Sequence, residues 1–355
     1  MGESRVGTSV VEVKDPRNPR VVRQLETPSG THSHKVQVVG DVLLVNYERS
    51  GMLEPNATSW QGGLKVFDVS RPEQPREVAF LQMPGKGVHR MTYWEAPYAY
   101  MSGSDDGLID QFLVIVDLSE PSRPHEVGRW WYPGQNTGAG ETPTWTPTQS
   151  HGGAAGAKRI ALHHPLLRGN RAYSGWWDAG LIILDISDLA HPSMVSHLDF
   201  GSDVSTATHT ALPVPGRDIL VVTDEQLAED CKGMQTRVRV VDIADERNPT
   251  VISEFPAPEG DYCLRGGRFG PHNLHEMRPG TLVDSNTIYA TWFNAGVRVF
   301  DISDAASPRE IAYYVPEAPP GRSSIQFNDI LVDANGLIYA TDRFTGGLYI
   351  LERTA

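Results

Sequence analysis

Residues 112–124 read FLVIVDLSEPSRP, an apolar run that ends in Asp117 and is followed seven residues later by Pro124. The same pattern recurs four more times, with the acid and the proline at these positions: Asp68 and Pro75, Asp185 and Pro192, Asp242 and Pro249, Asp301 and Pro308. Successive acids lie 49 to 68 residues apart. Self-similarity at this period is typical of a propeller or a solenoid.

Two further strand-like pieces lie between successive signatures. The first repeat shows them as residues 34–39 and 42–47, separated by a Gly-Asp turn. Such short apolar or alternating runs between turn residues indicate buried strands. Together with the acid-ending strand and an outer strand they describe a four-stranded antiparallel propeller blade. Six units of this kind begin near the following residues: His34, His89, Lys158, His209, His272 and Asn328.

We therefore predict an all-β fold, a single β-propeller domain over residues 1–355 with six four-stranded blades, or seven as the alternative. The last unit ends after its third strand, and residues 20–25 are the natural candidate for the missing outer strand. A ring closed by strands from both termini would leave no exposed edge. Long insertions at residues 131–157 and 256–271 break the regular spacing, and we interpret both as lids on one face.

The five residues 113–117 are literally LVIVD, and degenerate copies cover nearly the whole chain. In this the chain resembles the LVIVD-repeat β-propeller family and is distantly similar to the selenium-binding protein and methanethiol oxidase group. The resemblance implies a β-propeller, and the members of that group bind copper through histidines.

Composition narrows the classes of partner and compartment. The net charge of −13 argues against a nucleic-acid surface, which needs clustered Lys and Arg. The sequence shows no signal peptide and no apolar run of about 18 residues, so we expect no membrane partner and a cytoplasmic location. We interpret the two cysteines, Cys231 and Cys263, as incidental thiols, and the sequence leaves their pairing open.

Histidine occupies the equivalent position, the start of the innermost strand, in four of the six predicted units: His34, His89, His209 and His272. Because such positions converge in a propeller, we predict that these four side chains bind one metal ion. Imidazole suits copper, iron, zinc and nickel. Copper or iron is favoured through the family resemblance, with zinc and manganese as alternatives. The opposing interpretation is that each histidine bonds only to a neighbouring blade.

Residues of the same predicted face supply further candidates. The predicted catalytic residues are His151, Glu48, Asp178 and Asp224. The predicted substrate-binding residues are Lys158, Arg159, Trp177, Trp292 and Arg343. Acids in these turns can orient metal-bound imidazoles, or they can simply bond to local backbone. His32 could reach the same face as His34, whereas we expect structural roles for His163 and His164.

These patterns predict a metal-dependent enzyme that acts on a small organic substrate, aromatic or anionic, with oxidase or oxygenase chemistry favoured. Hydration, elimination or hydrolysis by a metal-activated water is the second interpretation. The third comes from another class, a non-catalytic propeller that binds a protein partner. The sequence does not indicate the oligomeric state.

Overall fold

The computed structural model describes residues 7–50, 54, 56–149, 156–201, 207–233 and 236–354. The fold is all-β, a six-bladed β-propeller, and its helical content over these residues is two short 3-10 helices, Thr137–Ala139 and Tyr262–Leu264. The predicted fold class is confirmed. No helix in this described part is long and apolar enough to cross a membrane.

Blades 1 to 4 each contain four antiparallel strands. Blade 1 consists of Val36–Val39, Val42–Arg49, Gly63–Asp68 and Arg76–Gln82, with Thr31–His32 paired to the second strand. Blade 2 consists of Met91–Thr92, Tyr98–Gly103, Phe112–Asp117 and His125–Trp130. Blade 3 consists of Pro165–Arg168, Arg171–Gly175, Leu181–Asp185 and Ser193–Leu198. Blade 4 consists of Thr208–Pro213, Ile219–Asp224, Val238–Asp242 and Thr250–Glu254.

The remaining strands are less regular. In blade 5 a single bridge at Leu274 replaces the innermost strand, and the others are Thr287–Thr291, Val297–Asp301 and Arg309–Tyr314. Blade 6 consists of Phe327–Val332, Ile338–Asp342 and Leu348–Leu351. Two further sheets of the described residues have two strands each. Thr8–Glu12 pairs with Arg20–Leu25, and Thr146–Pro147 pairs with Ala157–Lys158.

The recurring acid has a structural cause. Asp117, at the end of a third strand, accepts a hydrogen bond of 2.6 Å from the backbone N–H of Ser119, so the acid caps the turn that leads to the outer strand. Asp68 makes the same bond to Ser70 at 2.9 Å. Hydrogen bonds from Ser70 and then Arg76 lower the pKa of Asp68 to about 2. The repeated acid therefore marks blade geometry, not chemistry.

The N-terminal hairpin differs from the expectation in its partner. Arg20–Leu25 pairs with Thr8–Glu12, and the bulge between Val10 and Val11 matches the bulge between third and fourth strands of the blades. The two strands form a two-stranded antiparallel sheet of their own. Among the described residues Leu348–Leu351 has one hydrogen-bonded neighbour, Ile338–Asp342, so closure of the ring by strands from both termini stays a prediction.

The third blade also begins at another residue than the sequence suggested. Its innermost strand is Pro165–Arg168, whereas Ala157–Lys158 belongs to the separate parallel pair. Proline is tolerated at the first residue of a strand, so Pro165 opens this strand. The residue that corresponds to the register histidines is therefore His163, two residues before the strand, and not Lys158.

The chain divides into two compact units, residues 1–144, 161–165 and 186–193 in the first, and residues 145–160, 166–185 and 194–355 in the second. In the second unit Cys231 and Cys263 form a disulfide, with Cα atoms 5.3 Å apart. The interpretation of these cysteines as incidental thiols was wrong. The disulfide joins the segment that follows blade 4's second strand to the insertion at 256–271.

Candidate metal centre

In each of the first three blades a histidine stands two residues before the innermost strand, and the rings of these three histidines lie close together. The ring centroids of His34 and His89 are 4.7 Å apart, and those of His89 and His163 are 5.0 Å apart. His32 stacks on His34 at 5.1 Å, and His164 lies 5.0 Å from His163. Five imidazoles of the first compact unit therefore form one row.

Glu48 supplies the carboxylate of this row. Its Oε2 atom lies 2.8 Å from Nδ1 of His89 and 3.7 Å from Nε2 of His32, and its Oε1 accepts a hydrogen bond of 3.0 Å from Gln111. Burial raises the pKa of Glu48, but the charge and hydrogen bond of His89, with His32 and Lys86, outweigh it and leave the pKa below its ordinary value. Because an ionised carboxylate only accepts, His89 is the donor.

Asn46 fixes the backbone at His34. The backbone N–H groups of His34 and Lys35 donate to Oδ1 of Asn46 at 2.9 and 2.8 Å. Nδ2 of Asn46 lies 3.3 Å from Nδ1 of His34, a contact too long to fix the tautomer of the ring. Burial first, and then the charges of His89 and His32, hold the pKa of His34 well below its usual range. The ring is thus neutral and retains a nitrogen lone pair.

A close backbone approach brings Glu48 to His89. Glu48 forms an antiparallel bridge with Gly87, whose φ is +92°. A Cβ atom at position 87 would stand 2.5 Å from the carbonyl oxygen of Tyr47. Only glycine therefore lets the segment that carries His89 lie against the strand that carries Glu48.

A second group of the same kind lies in the other compact unit. Nε2 of His209 lies 3.8 Å from Oε2 of Glu225, and Nε2 of His272 lies 3.5 Å from Oε1 of Glu225. The two imidazole centroids are 4.6 Å apart. All three side chains are buried. Gly175 lets the chain pass close to this point, because a Cβ there would stand 2.6 Å from the carbonyl oxygen of His209.

Both groups follow one plan, which we call the first triad (His34, Glu48, His89) and the second triad (His209, Glu225, His272). In each, one histidine precedes or begins an innermost strand, the glutamate lies at the end of the next strand, and the second histidine belongs to the following blade. The centroid distances of 4.7 and 4.6 Å agree. The four predicted ligands thus form two pairs, and a single ion shared by all four stays a prediction.

The second triad differs from the first in the charge around its carboxylate. Arg268 donates to Oε1 of Glu225 at 2.9 Å, and a guanidinium nitrogen of Arg343 lies 3.7 Å from the same atom. Both guanidinium groups lie over the ring of Phe293, at 5.5 and 5.4 Å, and the ring of His272 stacks on Phe293 at 4.7 Å. This surrounding is cationic and aromatic.

Orientation of the imidazoles in the second triad is set by neighbouring groups. Nδ1 of His272 donates to the carbonyl oxygen of Asn328 at 2.6 Å, so in the neutral ring Nε2 carries the lone pair and faces Glu225. Nδ1 of His209 lies 2.8 Å from the hydroxyl of Thr210. Such bonds to the far ring nitrogen are typical of metal-ligating histidines.

The predicted catalytic acids lie in different surroundings. Glu48 is part of the first triad. Asp178 accepts a hydrogen bond from the backbone N–H of Arg159 at 2.8 Å. Asp224 is buried and accepts from Arg239 at 2.8 Å, and burial raises its pKa although Arg239 opposes this. Both aspartates hold local structure, so a catalytic role for either stays a prediction. His151 lies outside the described residues.

The predicted substrate-binding residues are also spread over several places. Arg159 lies 4.9 Å over the ring of Trp177, which contacts His209 edge-on at 6.0 Å. Lys158 lies 3.9 Å from a carboxylate oxygen of Asp199. Trp292 is buried and packs against Phe300. Arg343, described above, is at the second triad.

Sequence reasoning missed His163, Glu225, Arg268 and Phe293 as members of these groups. His163 had a detectable signal, because His34 and His163 both stand six residues before the glycine of the following turn, Gly40 or Gly169. Glu225 is the immediate neighbour of the predicted Asp224, and alternation along the strand decides which of the two faces the histidines. Phe293 adjoins the predicted Trp292 in the sequence, whereas nothing in the sequence places Arg268 at this site.

His275 shows what a structural histidine looks like here. Its Nε2–H donates to the carbonyl oxygen of Leu282 at 2.8 Å, and its Nδ1 accepts from the backbone N–H of Val332 at 3.2 Å. Both ring nitrogens are therefore used by the backbone. Burial lowers the pKa of His275.

Comparison with known proteins agrees with the fold. The chain contains LVIVD repeats, matched at residues 97–131 and 166–199. No curated protein matches the chain.

Solved structures resemble it over nearly its whole length. A periplasmic gluconolactonase from Pseudomonas aeruginosa aligns with a TM-score of 0.67 and 9% identity, covering 95% of this chain and 85% of the other. A hypothetical selenium-binding protein from Sulfolobus tokodaii aligns with a TM-score of 0.58 and 12% identity, covering 99% and 87%. At these identities the likeness shows the fold alone.

Proposed function

We propose that this protein is a metal-dependent enzyme whose ion is held by His32, His34 and Glu48, with His89 oriented by Glu48. One ligand atom from each of His32, His34 and Glu48 lies within 4.8 Å of the others. The observation that carries the proposal is the 3.7 Å separation of Nε2 of His32 and Oε2 of Glu48. It is too long for a hydrogen bond, yet ligand atoms of one ion lie about 3 to 4 Å apart at bond lengths near 2.1 Å.

The chemical state of these donors suits an ion. Nε2 of His34 is buried and has no hydrogen-bond partner in the described part of the chain. Burial lowers the pKa of His32 despite the charge of Glu48, and it lowers that of His34 further. Neutral imidazoles beside an ionised carboxylate are the donor set of copper, iron and zinc sites. Two histidines and one carboxylate also leave coordination positions for substrate.

Accessibility favours the first triad, together with the adjoining His32, over the second triad as the reactive centre. The side chains of His32 and His89 are 24% and 22% exposed, whereas those of His209 and His272 are nearly closed off. Two guanidinium groups beside Glu225 also oppose the entry of a dication there. The sequence-based proposal that His209 and His272 ligate the same ion as His34 and His89 is tested by metal stoichiometry, below.

A bound ion would act as a Lewis acid, activate water or, for copper or iron, exchange electrons. His89 is the proposed general acid or base, because Glu48 fixes its Nδ1–H and any proton transfer to a reactant would use Nε2. A substrate-binding role for the predicted residues of the second unit, Lys158, Arg159, Trp177, Trp292 and Arg343, stays a prediction. Oxidase or oxygenase chemistry is proposed on the sequence resemblance. Hydrolysis is the alternative, and the gluconolactonase of similar fold makes it worth testing.

A non-catalytic scaffold is the competing proposal, and exposed apolar residues favour it. Val21, Tyr313 and Val251 are 65%, 66% and 44% exposed and belong to outer strands. Such residues could bind a protein partner. The scaffold proposal requires no metal.

Metal analysis of purified protein separates the two proposals. We expect about one equivalent of a transition metal in wild-type protein and a sharp loss in His34→Ala, with an unchanged circular dichroism spectrum. The exposed His191, on a blade's outer side, offers the matched control His191→Ala, which should retain the metal. Protein that remains metal-free and resists loading with copper, iron, zinc and manganese would reject the enzyme proposal.

The compartment is a separate question. A cytoplasmic location stays a prediction, and the disulfide between Cys231 and Cys263 argues against it, because disulfides persist mainly in oxidising compartments. Fractionation of the native host, with thiol labelling of the two cysteines, decides this point.

A further inference from the structure

Arg90 has a buried guanidinium that makes no ion pair with any residue of the described part of the chain. It directly follows His89 and is 2% exposed. Its backbone is fully used, because its N–H donates to the hydroxyl of Ser102 at 2.9 Å and its carbonyl oxygen accepts from the backbone N–H of Ser102 at 2.9 Å. Its side chain has unused donors, since Nε and Nη1 are buried and have no hydrogen-bond partner in the described part of the chain.

The other buried arginines of the described residues show what is missing. Arg239 donates to Asp224 at 2.8 Å. Arg298 donates to Glu310 at 3.1 Å and to the hydroxyl of Tyr262 at 2.6 Å. Each of these guanidinium groups therefore has a carboxylate. Arg90 makes no ion pair with a described residue, although it is as deeply buried as Arg298.

This arrangement is unstable unless something else meets the guanidinium. Arginine stays protonated at every accessible pH, so it cannot neutralise itself as a buried lysine can. Burying an uncompensated ion costs several kcal/mol even after relaxation. A buried donor without a partner in a native protein is most simply explained by a bound ion or water.

The charge near His34 favours an anion over water. Two buried cations adjoin the first triad along the chain, because Lys35 directly follows His34 and Arg90 directly follows His89. A metal ion held by His34 and Glu48 would add further positive charge. An anion between the guanidinium and the ion would compensate both.

We propose that Arg90 binds a small carboxylate, and that this is the acidic group of the substrate that reacts at the first triad. Guanidinium and carboxylate match in planar geometry and form charge-assisted hydrogen bonds. The depth of Arg90 limits the group to a small one. That the carboxylate belongs to a substrate rests on the proposed metal centre. The anion site itself does not depend on the metal.

Formate is the probe, because it is the smallest carboxylate. It is titrated into chloride-free, metal-stripped protein and into metal-loaded protein, while thermal unfolding and isothermal titration calorimetry are followed. We expect formate to raise the Tm of wild-type protein. The response should vanish in Arg90→Met. In Arg90→Lys, which keeps the positive charge but loses the two parallel N–H donors of the guanidinium, the affinity for formate should fall about tenfold or more. Arg298→Met, equally buried but paired, should lower the Tm and retain the formate response.

The outcomes separate this inference from the metal proposal. Formate binding that depends on Arg90 in protein that takes up no metal would support the inference and reject the metal centre. Normal metal content with equal formate affinity in wild type and Arg90→Lys would overturn the inference and leave the metal centre intact. A response to chloride with none to formate would also overturn it, because the guanidinium would then hold a structural halide.

Discussion

Nδ1 of His89 donates a hydrogen bond of 2.8 Å to Oε2 of Glu48, while Nε2 of His32 stands 3.7 Å from the same oxygen. The shorter contact is a hydrogen bond and the longer one is not. The carboxylate therefore has two tasks, to hold the imidazole of His89 in one tautomer and to face His32 across a gap. In a metal site these are the tasks of a carboxylate that ligates and orients at once.

Glu48→Gln should reduce metal affinity about 10- to 100-fold, the usual effect of losing an orienting partner, and more if the carboxylate is itself a ligand. The amide keeps the size of the side chain, so the fold should remain. Glu77→Gln is the control, since that glutamate pairs with Lys65 and is half exposed. Metal content after dialysis against a graded chelator measures the effect. Equal retention in both variants would remove Glu48 from the site.

The register histidines give a second prediction. If one ion is shared, alanine substitutions should each lower the metal content at His34, His89, His209 and His272. His163→Ala should also lower it, because the ring of His163 adjoins that of His89. His275→Ala is the proper control, because both nitrogens of His275 bond to backbone. It should lose stability and retain metal.

The pattern of loss decides between one centre and two. If His209→Ala and His272→Ala retain the full metal content, the ion belongs to the first triad alone. Two equivalents in wild type, with one lost in each group of variants, would assign an ion to each triad. Equal metal content in all variants, His275→Ala included, would show that the shared position of these histidines along the strands does not indicate a metal site.

The disulfide gives a third prediction. Cys231 and Cys263 are 32 residues apart, and closing a loop of that length stabilises a fold by about 3–4 kcal/mol in the chain-entropy model. The bond also holds two segments that meet near the second triad, where the backbone N–H of Asp230 donates to Gly267 and Arg268 reaches Glu225. Dithiothreitol should therefore lower the Tm of wild type and leave that of Cys231→Ser/Cys263→Ser unchanged. No shift in wild type would contradict a structural disulfide.

The fold could be predicted because the repeated signature has a local cause. Each acid, as at Asp117, caps the turn after a third strand, so its recurrence counts blades directly. The start of blade 3 was misjudged because Lys158 precedes an apolar stretch and Pro165 looks like a strand terminator. The spacing from His163 to Gly169 would have corrected it.

The candidate site could be predicted only in part. His34, His89, His209 and His272 share a register along the strands, and a register is visible in sequence. Arg268 reaches Glu225 from an insertion whose path is set by tertiary contacts, among them the Cys231–Cys263 bond. Periodicity carries no information about such a path, so the cationic surroundings of the second triad could not be foreseen.

The last prediction concerns the pH dependence of stability. It uses His275, because both ring nitrogens of that residue bond to backbone groups and neither is available to a metal ion. Its pKa is lowered mainly by burial. In the unfolded chain the ring has an ordinary pKa of about 6.5. As pH falls below about 6.5 the unfolded chain therefore takes up a proton that the folded chain does not, and the free energy of unfolding decreases. The stability is complete above this pH and is lost between the unfolded and the folded pKa.

His275→Gln removes the titration while keeping a donor and an acceptor for Leu282 and Val332. Between pH 6.5 and 5 the free energy of unfolding of wild type should fall more steeply than that of the variant, by up to about 1.4 kcal/mol per pH unit. Urea unfolding of metal-stripped protein measures this, because stripping removes the pH dependence of metal binding. His191→Gln, at an exposed turn, should follow wild type. Parallel pH profiles for wild type and His275→Gln would mean that His275 takes up its proton in the folded state as readily as in the unfolded chain. The hydrogen bond from the Val332 N–H to Nδ1 of His275, which protonation must break, would then not stabilise the neutral imidazole over the protonated one in the folded chain.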